Sequence, residues 1–274
     1  MREEHLSTLS NLVVKLADGG AVSLGAIEWA SPVLAFGNLI KSRVATLGLN
    51  PSNIEFVDRH GKELLEPNNR FETLRSLNID GWNYATRENI ETILSGCDSY
   101  FDLSHRPYHA WFRPLDKVIA GLGVSFYSEL FPACHLDLVP FATEKKWASL
   151  SQSTRRALID ISSPSLIDTL KASNIVVLVL NGAGVVGEFE RVMSIEFEKQ
   201  HVSDWDLDRK NVSNVRGFSF VARMNSIRGI DLGRDVLVLG FNHNIQSSFG
   251  VKAAVVESIS VWIYKQVKLF GVLI

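Results

Sequence analysis

Four short apolar runs, separated by stretches in which apolar residues recur every three or four positions, dominate the hydrophobic pattern of this chain. The runs cover residues 44–49, 132–140, 175–181 and 235–241, and their β-branched residues favour buried strands. The stretches between them predict amphipathic helices. Because strands joined by helical crossovers run parallel, this alternation predicts an α/β fold. We expect a three-layer α/β/α sandwich around a central four-stranded parallel sheet.

Two regions depart from this alternation. Residues 1–43 predict an N-terminal helical segment, in which a second helix begins at Ser31-Pro32 and ends near Lys41, since proline suits the first turn of a helix. From 195 to 228, apolar and polar residues alternate, which predicts an antiparallel β-hairpin inserted at a sheet edge. We expect the whole chain, 1–274, to form a single domain.

Three shorter helices follow from local patterns. Residues 70–77 are amphipathic, and helices are predicted over 151–161 and 163–172.

Composition and charge add few constraints. The chain has 274 residues, of which 46% are hydrophobic, and this is enough to bury a large core. Its net charge of −2 means that no global positive field attracts nucleic acid. The paired cations Lys145-Lys146, Arg155-Arg156 and Arg209-Lys210 predict either a local basic face or ordinary solvated surface. We expect a monomer.

The two cysteines, Cys97 and Cys134, are far apart and have no CxxC spacing, so they predict neither a disulfide framework nor a zinc or iron–sulfur site. This cysteine usage favours a reducing cytoplasm. Residues 1–5 are polar and acidic rather than apolar, and no uncharged run approaches 18 residues. We therefore expect a cytoplasmic protein without membrane association, and we expect neither a metal nor a cofactor.

Polar side chains lie at or near the ends of all four apolar runs. Asn50, Asn181 and His243 follow or end three of them, and Asp137 lies within the fourth. Each has an ordinary explanation as a turn cap, a helix cap or a buried loop residue. Because the carboxyl ends of parallel strands meet at one edge of a sheet, we expect the four groups to line one crevice.

The first of these groups lies in a recognisable motif. Gly48-Leu49-Asn50-Pro51-Ser52 resembles the first motif of the uracil-DNA glycosylase superfamily, in the asparagine form used by its mismatch-specific and single-strand-selective branches. The stretch Arg70-Phe71 followed by Asn78 is similar to the sequence after that motif. The run 242–248 resembles the superfamily's histidine-containing last motif, although the usual His-Pro-Ser has lost its proline. The resemblance covers most of residues 40–270 and leaves 195–228 as an insertion.

The resemblance implies DNA as the partner and assigns roles to ten residues. They are the catalytic Asn50 and His243, the base-binding Asp137, Phe56, Phe71 and Asn181, and the backbone-binding Ser52, Gln246, Ser247 and Ser248.

These residue types suit base excision on physical grounds. Breaking a base–sugar bond gives an oxocarbenium-like sugar and an anionic base, after the base has left the stack. The sugar is electrophilic enough that water needs positioning more than deprotonation, and the neutral amide of Asn50 suits that task. A hydrogen bond from His243 would stabilise the negative charge that develops on the base oxygen. Serine hydroxyls such as Ser247 suit contacts to flanking phosphates.

Asp137 departs from the pattern of uracil-reading members, which present an asparagine on this strand. An ionised carboxylate only accepts hydrogen bonds, so it favours an exocyclic amino group and repels a uracil oxygen. We therefore expect a modified cytosine as the target. Members that remove glucosylated hydroxymethylcytosine from phage DNA are the natural comparison, and the chain looks like such an antiviral defence enzyme. Excision of uracil or another damaged base in DNA repair is the alternative.

Two other functions stay open. Residues 182–187 read GAGVVG, a dinucleotide-binding fingerprint that follows a strand and opens a helix, with Asp204 and Asp206 about twenty residues on. This motif predicts a nucleotide-cofactor-dependent oxidoreductase, or its glycines simply permit close helix–strand packing. The third possibility is a non-catalytic nucleic-acid-binding domain.

Overall fold

A computed structural model describes residues 1–102, 108–207, 214–246 and 251–274. Six α-helices and six strands lie within these ranges. In chain order they are α1 (Arg2–Ala17), β1 (Val44–Gly48), α2 (Arg87–Asp98), α3 (His109–Ile119), β2 (Ala133–Asp137), α4 (Gln152–Ala172), β3 (Val177–Asn181), α5 (Ala183–Met193), β4 (Glu198–His201), β5 (Phe218–Ile227), β6 (Ile230–Phe241) and α6 (Ala253–Leu269).

The strands form one six-stranded mixed sheet in the order β2-β1-β3-β6-β5-β4, with helices on both sides, so the fold is α/β as predicted. β1 and β6 both pair with β3 in parallel, and β5 pairs antiparallel with both β6 and β4. All four predicted core runs contain a strand. The four core runs and the antiparallel pair predicted at a sheet edge together account for the six strands.

Contacts divide the chain into two compact units. Unit 1 comprises Met1–Ile40, Leu49–Pro107 and His135–Ser173. Unit 2 comprises Lys41–Gly48, Tyr108–Cys134 and Asn174–Ile274. The single domain over 1–274 therefore stays a prediction.

In unit 1, the predicted helix from Ser31-Pro32 to Lys41 is wrong. The segment is non-helical and runs beside β2, where Phe36 and His135 exchange backbone hydrogen bonds of 2.8 and 2.9 Å. The backbone N–H of Val33 also donates to the carbonyl of Pro140. Because almost every side chain from 31 to 39 is buried, the run has no solvated face and its periodicity carries no helical signal. Of the predicted N-terminal helical segment, α1 is confirmed.

The predicted helix over 70–77 is also wrong, since these residues form turns. The Oγ of Ser76 accepts from the backbone N–H of Thr73, and Oγ1 of Thr73 accepts from that of Ser76. Asn78 then leaves the turn with φ of +52°. Hydroxyl side chains that bond the local backbone in this way compete with helix formation.

The two helices predicted over 151–161 and 163–172 are a single helix, α4, with Pro164 inside it. Proline removes the N–H that would reach the carbonyl of Asp160. The hydroxyl of Ser163 donates to that carbonyl instead, at 3.1 Å. The neighbouring carbonyl of Ile161 accepts from Nζ of Lys15 on α1. These bonds allow the helix to continue past its proline.

In unit 2, the predicted antiparallel pair at the sheet edge is confirmed as β4 and β5, but its boundaries differ. β5 continues through a turn at Arg228 and Gly229, both with positive φ, into β6. β6 therefore begins at Ile230 rather than at 235, and the hairpin is continuous with the core. Gly240 on β6 permits the close approach of α5, because a Cβ there would lie 2.8 Å from Val186.

Within the ranges that the structure describes, no helix combines the length and the apolar character needed to cross a bilayer.

Candidate active site

Asn50, two residues after β1, has a fixed and half-buried side chain. Its Nδ2 donates to the carbonyl oxygens of Pro51 at 3.0 Å and Phe141 at 3.4 Å, and to Oγ1 of Thr143 at 3.1 Å. Three acceptors around the nitrogen settle the orientation of the amide. Among the described residues, Oδ1 has no hydrogen-bond partner. An oriented amide oxygen of this kind is suited to accept a hydrogen bond from water.

Ser52, two residues after this asparagine, is the N-cap of a short 3₁₀ turn, Asn53–Glu55. Its Oγ accepts from the backbone N–H of Ile54 at 3.4 Å, and the residue is exposed. The predicted backbone-binding serine therefore lies at the surface as an N-cap.

Glu55 ends the same turn and is a functional candidate that the sequence did not reveal. It is 3% exposed, and its Oε2 accepts from the hydroxyl of Tyr100 at 2.9 Å. Nη1 of Arg70 lies 3.8 Å from the same oxygen. Burial raises the pKa of Glu55 to about 7, against the opposing effects of Arg70 and the Tyr100 hydrogen bond. A carboxyl group with this pKa exchanges its proton near neutrality.

Asp137, at the end of β2, lies in the interior beside His135. Nε2 of His135 is 3.4 Å from Oδ1 of Asp137, and the two side chains are 1% and 4% exposed. The cavity beside Asp137 has a volume of about 10 Å³ and is also lined by Leu12 and Thr169. This is room for about one water molecule, so a base that contacts Asp137 must displace surrounding side chains. The charge of Asp137 also helps to raise the pKa of Glu55.

Phe56 and Phe71, the predicted stacking residues, lie in a buried aromatic cluster. Their ring centroids are 5.7 Å apart, and Phe71 stacks on Tyr100 at 5.0 Å with an interplanar angle of 11°. Phe36 packs edge-on against Phe71. Both predicted rings are at most 2% exposed, so they form a wall around Glu55 rather than an open stacking face.

In unit 2, Asn181 braces the loop that follows β6. Its Oδ1 accepts from the backbone N–H of Ile245 at 3.1 Å, and its Nδ2 donates to Oε1 of Gln246 at 2.7 Å. Nε2 of Gln246 then donates to the carbonyl of Trp111 on α3 at 3.1 Å. The amides of Asn181 and Gln246 thus hold the loop in place.

His243 lies in that loop and is buried. Its Nε2 is 2.6 Å from the backbone carbonyl oxygen of Trp205, which follows β4. Trp205 is held in turn by Trp262 on α6, edge-to-face at 5.3 Å, and by a hydrogen bond from its indole to Ser258. The segment predicted as an insertion therefore supplies one hydrogen-bond partner of the predicted catalytic histidine.

The glycine motif at 182–187 lies at the turn from β3 into α5, and its glycines differ in what surrounds them. Gly182 has φ of +104°, and a Cβ there would lie 3.2 Å from Asn244. A Cβ at Gly184 or Gly187 would meet nothing within 4 Å, so these glycines are not needed for close packing. Asp206 follows β4, which is separated from β3 by β6 and β5, and it accepts from the backbone of Gly217. In the fingerprint, the acid follows the strand of the same βαβ unit.

Several expected features fall elsewhere. Ser247, Ser248, Arg209 and Lys210 lie outside the described residues. In the described part of the chain, no group of three or more His, Cys, Asp or Glu side chains is arranged to hold a metal ion.

The chain matches no protein-family model and no curated protein.

Proposed function

We propose that the protein is a DNA glycosylase that hydrolyses the N-glycosidic bond of a flipped-out modified cytosine and leaves an abasic site. The observation that carries the proposal is the side chain of Asn50. Three acceptors fix its amide nitrogen, and its oxygen has no partner among the described residues. The proposal also requires β2 to extend the parallel β1-β3-β6 core to four strands.

The proposed chemistry depends on placing water rather than on activating it. As the base departs, positive charge develops on the sugar, and Oδ1 of Asn50 holds a water molecule for attack on the anomeric carbon. The bond from carbon to the base nitrogen breaks, its electron pair leaves with the base, and water supplies the new C–O bond and releases a proton. Fixing the amide before the reaction lowers the entropic cost of this step.

In this proposal His243 stabilises the departing base, whose carbonyl oxygen becomes negative. A donor that strengthens its hydrogen bond as charge develops favours the transition state over the ground state. Ser52, Gln246, Ser247 and Ser248 are proposed contacts to the DNA backbone.

The choice of a cytosine derivative rests on Asp137. An ionised carboxylate accepts from the exocyclic amino group of cytosine and repels the oxygen that uracil has there. A bulky modification, such as the glucosylated hydroxymethyl group of phage DNA, distinguishes the target from the cytosine of host DNA. Excision of such bases would make the protein an antiviral defence enzyme.

The test uses mass spectrometry to identify bases freed from DNA that contains cytosine, uracil, hydroxymethylcytosine or its glucosylated form. We expect release of a modified cytosine only. Asn50→Ala should lower the rate about 100-fold or more while DNA binding persists. Asn11→Ala, an exposed asparagine on α1, is the matched control and should leave the rate unchanged.

Release of uracil alone would refute the role of Asp137 but leave a glycosylase. Release of no base from any of these DNAs, or an undiminished rate in Asn50→Ala, would overturn the proposed mechanism.

A further inference from the structure

A strongly basic stretch of the chain is connected to Asn50 by two hydrogen bonds. Residues 145–156 contain Lys145, Lys146, Arg155 and Arg156 and no acidic residue. Trp147 directly follows the two lysines. In a chain whose net charge is −2, this stretch concentrates positive charge in one unit.

Hydrogen bonds tie the start of this basic segment to Asn50. Nδ2 of Asn50 donates to Oγ1 of Thr143 at 3.1 Å, and this hydroxyl donates to the carbonyl of Lys145 at 2.8 Å. A single buried threonine therefore links the amide to the first lysine. These two hydrogen bonds fix the position of the segment relative to Asn50, the proposed water-holding residue.

The rest of the segment is also anchored. The carbonyls of Lys146 and Trp147 accept from the backbone of Ser149 and Leu150 within a 3₁₀ turn, Trp147–Ser149. Leu150 is buried, and Ser151 then caps α4 by accepting from the backbone of Thr154. Hydrogen bonds and one buried side chain therefore hold the connection between Thr143 and α4.

Its four cationic side chains are exposed or half-buried, and no acidic side chain of the described residues forms an ion pair with them. Lys145, Lys146 and Arg156 are exposed, and Arg155 and Trp147 are half-buried. Among the described residues, none of the four cations forms an ion pair or a side-chain hydrogen bond. Nε of Arg155 is buried and has no hydrogen-bond partner among the described residues.

We propose that residues 145–156 form the surface that binds the phosphates of the DNA strand next to the excised nucleotide, with Trp147 stacking on an unpaired base. This inference rests on the proposed function and adds to it the surface that binds the DNA strand. Fixed cations that neutralise phosphates supply much of the affinity for DNA, and a partly exposed aromatic side chain among them suits single-stranded DNA. The surface therefore favours a strand opened by base flipping.

The test measures Kd by fluorescence anisotropy for a single-stranded oligonucleotide and its duplex, from 50 to 200 mM salt. Lys145→Ala combined with Lys146→Ala should weaken binding at least ten-fold at low salt. It should also reduce the slope of log K against log salt by about 1.4 on the single strand, because two phosphate contacts are lost. Trp147→Ala should weaken single-strand binding about five-fold or more, and Trp147→Phe should restore most of it.

The control removes two lysines elsewhere, Lys265→Ala with Lys268→Ala on α6, and should leave both affinity and slope unchanged. Circular dichroism confirms that each variant is folded. If the wild type binds DNA and the 145–146 variant binds equally well with the same slope, the surface is wrong while the glycosylase proposal stands. If the wild type binds no DNA in either form, both proposals fail.

Discussion

The backbone carbonyl oxygen of Trp205 lies 2.6 Å from Nε2 of His243. Because a carbonyl oxygen only accepts, Nε2 must carry the proton, and the neutral ring then has an unprotonated Nδ1. Nδ1 donates to a ligand only when the ring is a cation.

The first prediction concerns the residue that allows this contact. A Cβ at Gly217 would lie 2.3 Å from Cβ of Trp205 and 2.7 Å from the carbonyl of Val202, both parts of the structure that cannot easily move. Gly217→Ala should lower the free energy of unfolding by about 1–3 kcal/mol and disturb the bond to His243. Urea unfolding measures the first effect, and ¹⁵N NMR of the imidazole measures the loss of a protonated Nε2.

The matched control is Gly184→Ala in the first turn of α5. A Cβ there meets nothing within 4 Å, and alanine is the better helix former. This variant should be as stable as the wild type or more stable by up to about 1 kcal/mol. An unchanged imidazole spectrum in Gly217→Ala would show that Trp205 does not set the tautomer of His243.

The second prediction concerns Glu55, whose pKa burial raises from its ordinary value of 4.5 to about 7. The folded state holds this proton more tightly than the unfolded state does, so the stabilisation is fully present below pH 4.5. It is lost as the pH rises from 4.5 through 7, by about 3 kcal/mol in total. Glu55→Gln keeps the shape of the side chain and cannot ionise, so this part of the pH dependence should disappear.

Urea unfolding of the wild type and Glu55→Gln at several pH values from 4 to 8 measures this difference. Ionisation of Glu55 should also disturb the 53–55 turn beside Asn50, so base release should fall above pH 7 in the wild type and less in the variant. Parallel stability curves for the two proteins would contradict the raised pKa.

The third prediction concerns His5, whose pKa is lowered rather than raised, so its effect on stability has the opposite pH dependence. His5 on α1 is 1% exposed and its Nε2 is buried without a hydrogen-bond partner, so burial and the N-terminal amine lower its pKa from 6.5 to about 4. The folded state prefers the neutral ring. Its contribution is present above pH 6.5 and is lost as the pH falls from 6.5 through 4, by about 2 kcal/mol after allowance for solvent screening. His5→Leu should remove this acid sensitivity.

The two titrations overlap between pH 4.5 and 6.5, where they oppose one another. The wild type should therefore show a weak net pH dependence there, and each single variant should show a steeper one. Glu55→Gln should lose stability towards acid, and His5→Leu should lose it towards neutrality. Urea unfolding of the two variants at matched pH values separates the groups, and a variant with the flat curve of the wild type would contradict its assignment.

The strands were predictable because their signal is local. Val177–Asn181 reads VLVLN, and a β-branched run of this kind is buried in a sheet whatever surrounds it. Segment 31–41 was not predictable, because its backbone bonds at Phe36 go to His135, about a hundred residues later. The sequence of the segment itself contains no pattern that identifies such a distant partner.

The residues of the candidate site likewise divide into those that local sequence indicates and those that only the fold reveals. Asn50 was proposed from the sequence because it follows a strand and precedes a proline. Glu55 was not predicted, because it lies in a polar, turn-rich stretch of the sequence where no local pattern marks a buried carboxyl group. Its side chain instead turns inward to Tyr100, 45 residues away, and only the folded chain shows this contact.

The last prediction concerns the target base and uses Asp137→Asn. The substitution preserves size and adds a donor, so it should shift release from a modified cytosine towards uracil. The change removes the charge that faces His135 at 3.4 Å and should also lower the pKa of Glu55, since the charge of Asp137 helps to raise it. The measurement is the ratio of freed bases from an equimolar mixture of the two DNAs, with the ¹³C shift of the Glu55 carboxyl as a second readout. The carboxyl titration needs no substrate, so it tests the link between Asp137 and Glu55 independently of base release. An unchanged base ratio together with a shifted titration would show that Asp137 interacts with Glu55 but does not recognise the base.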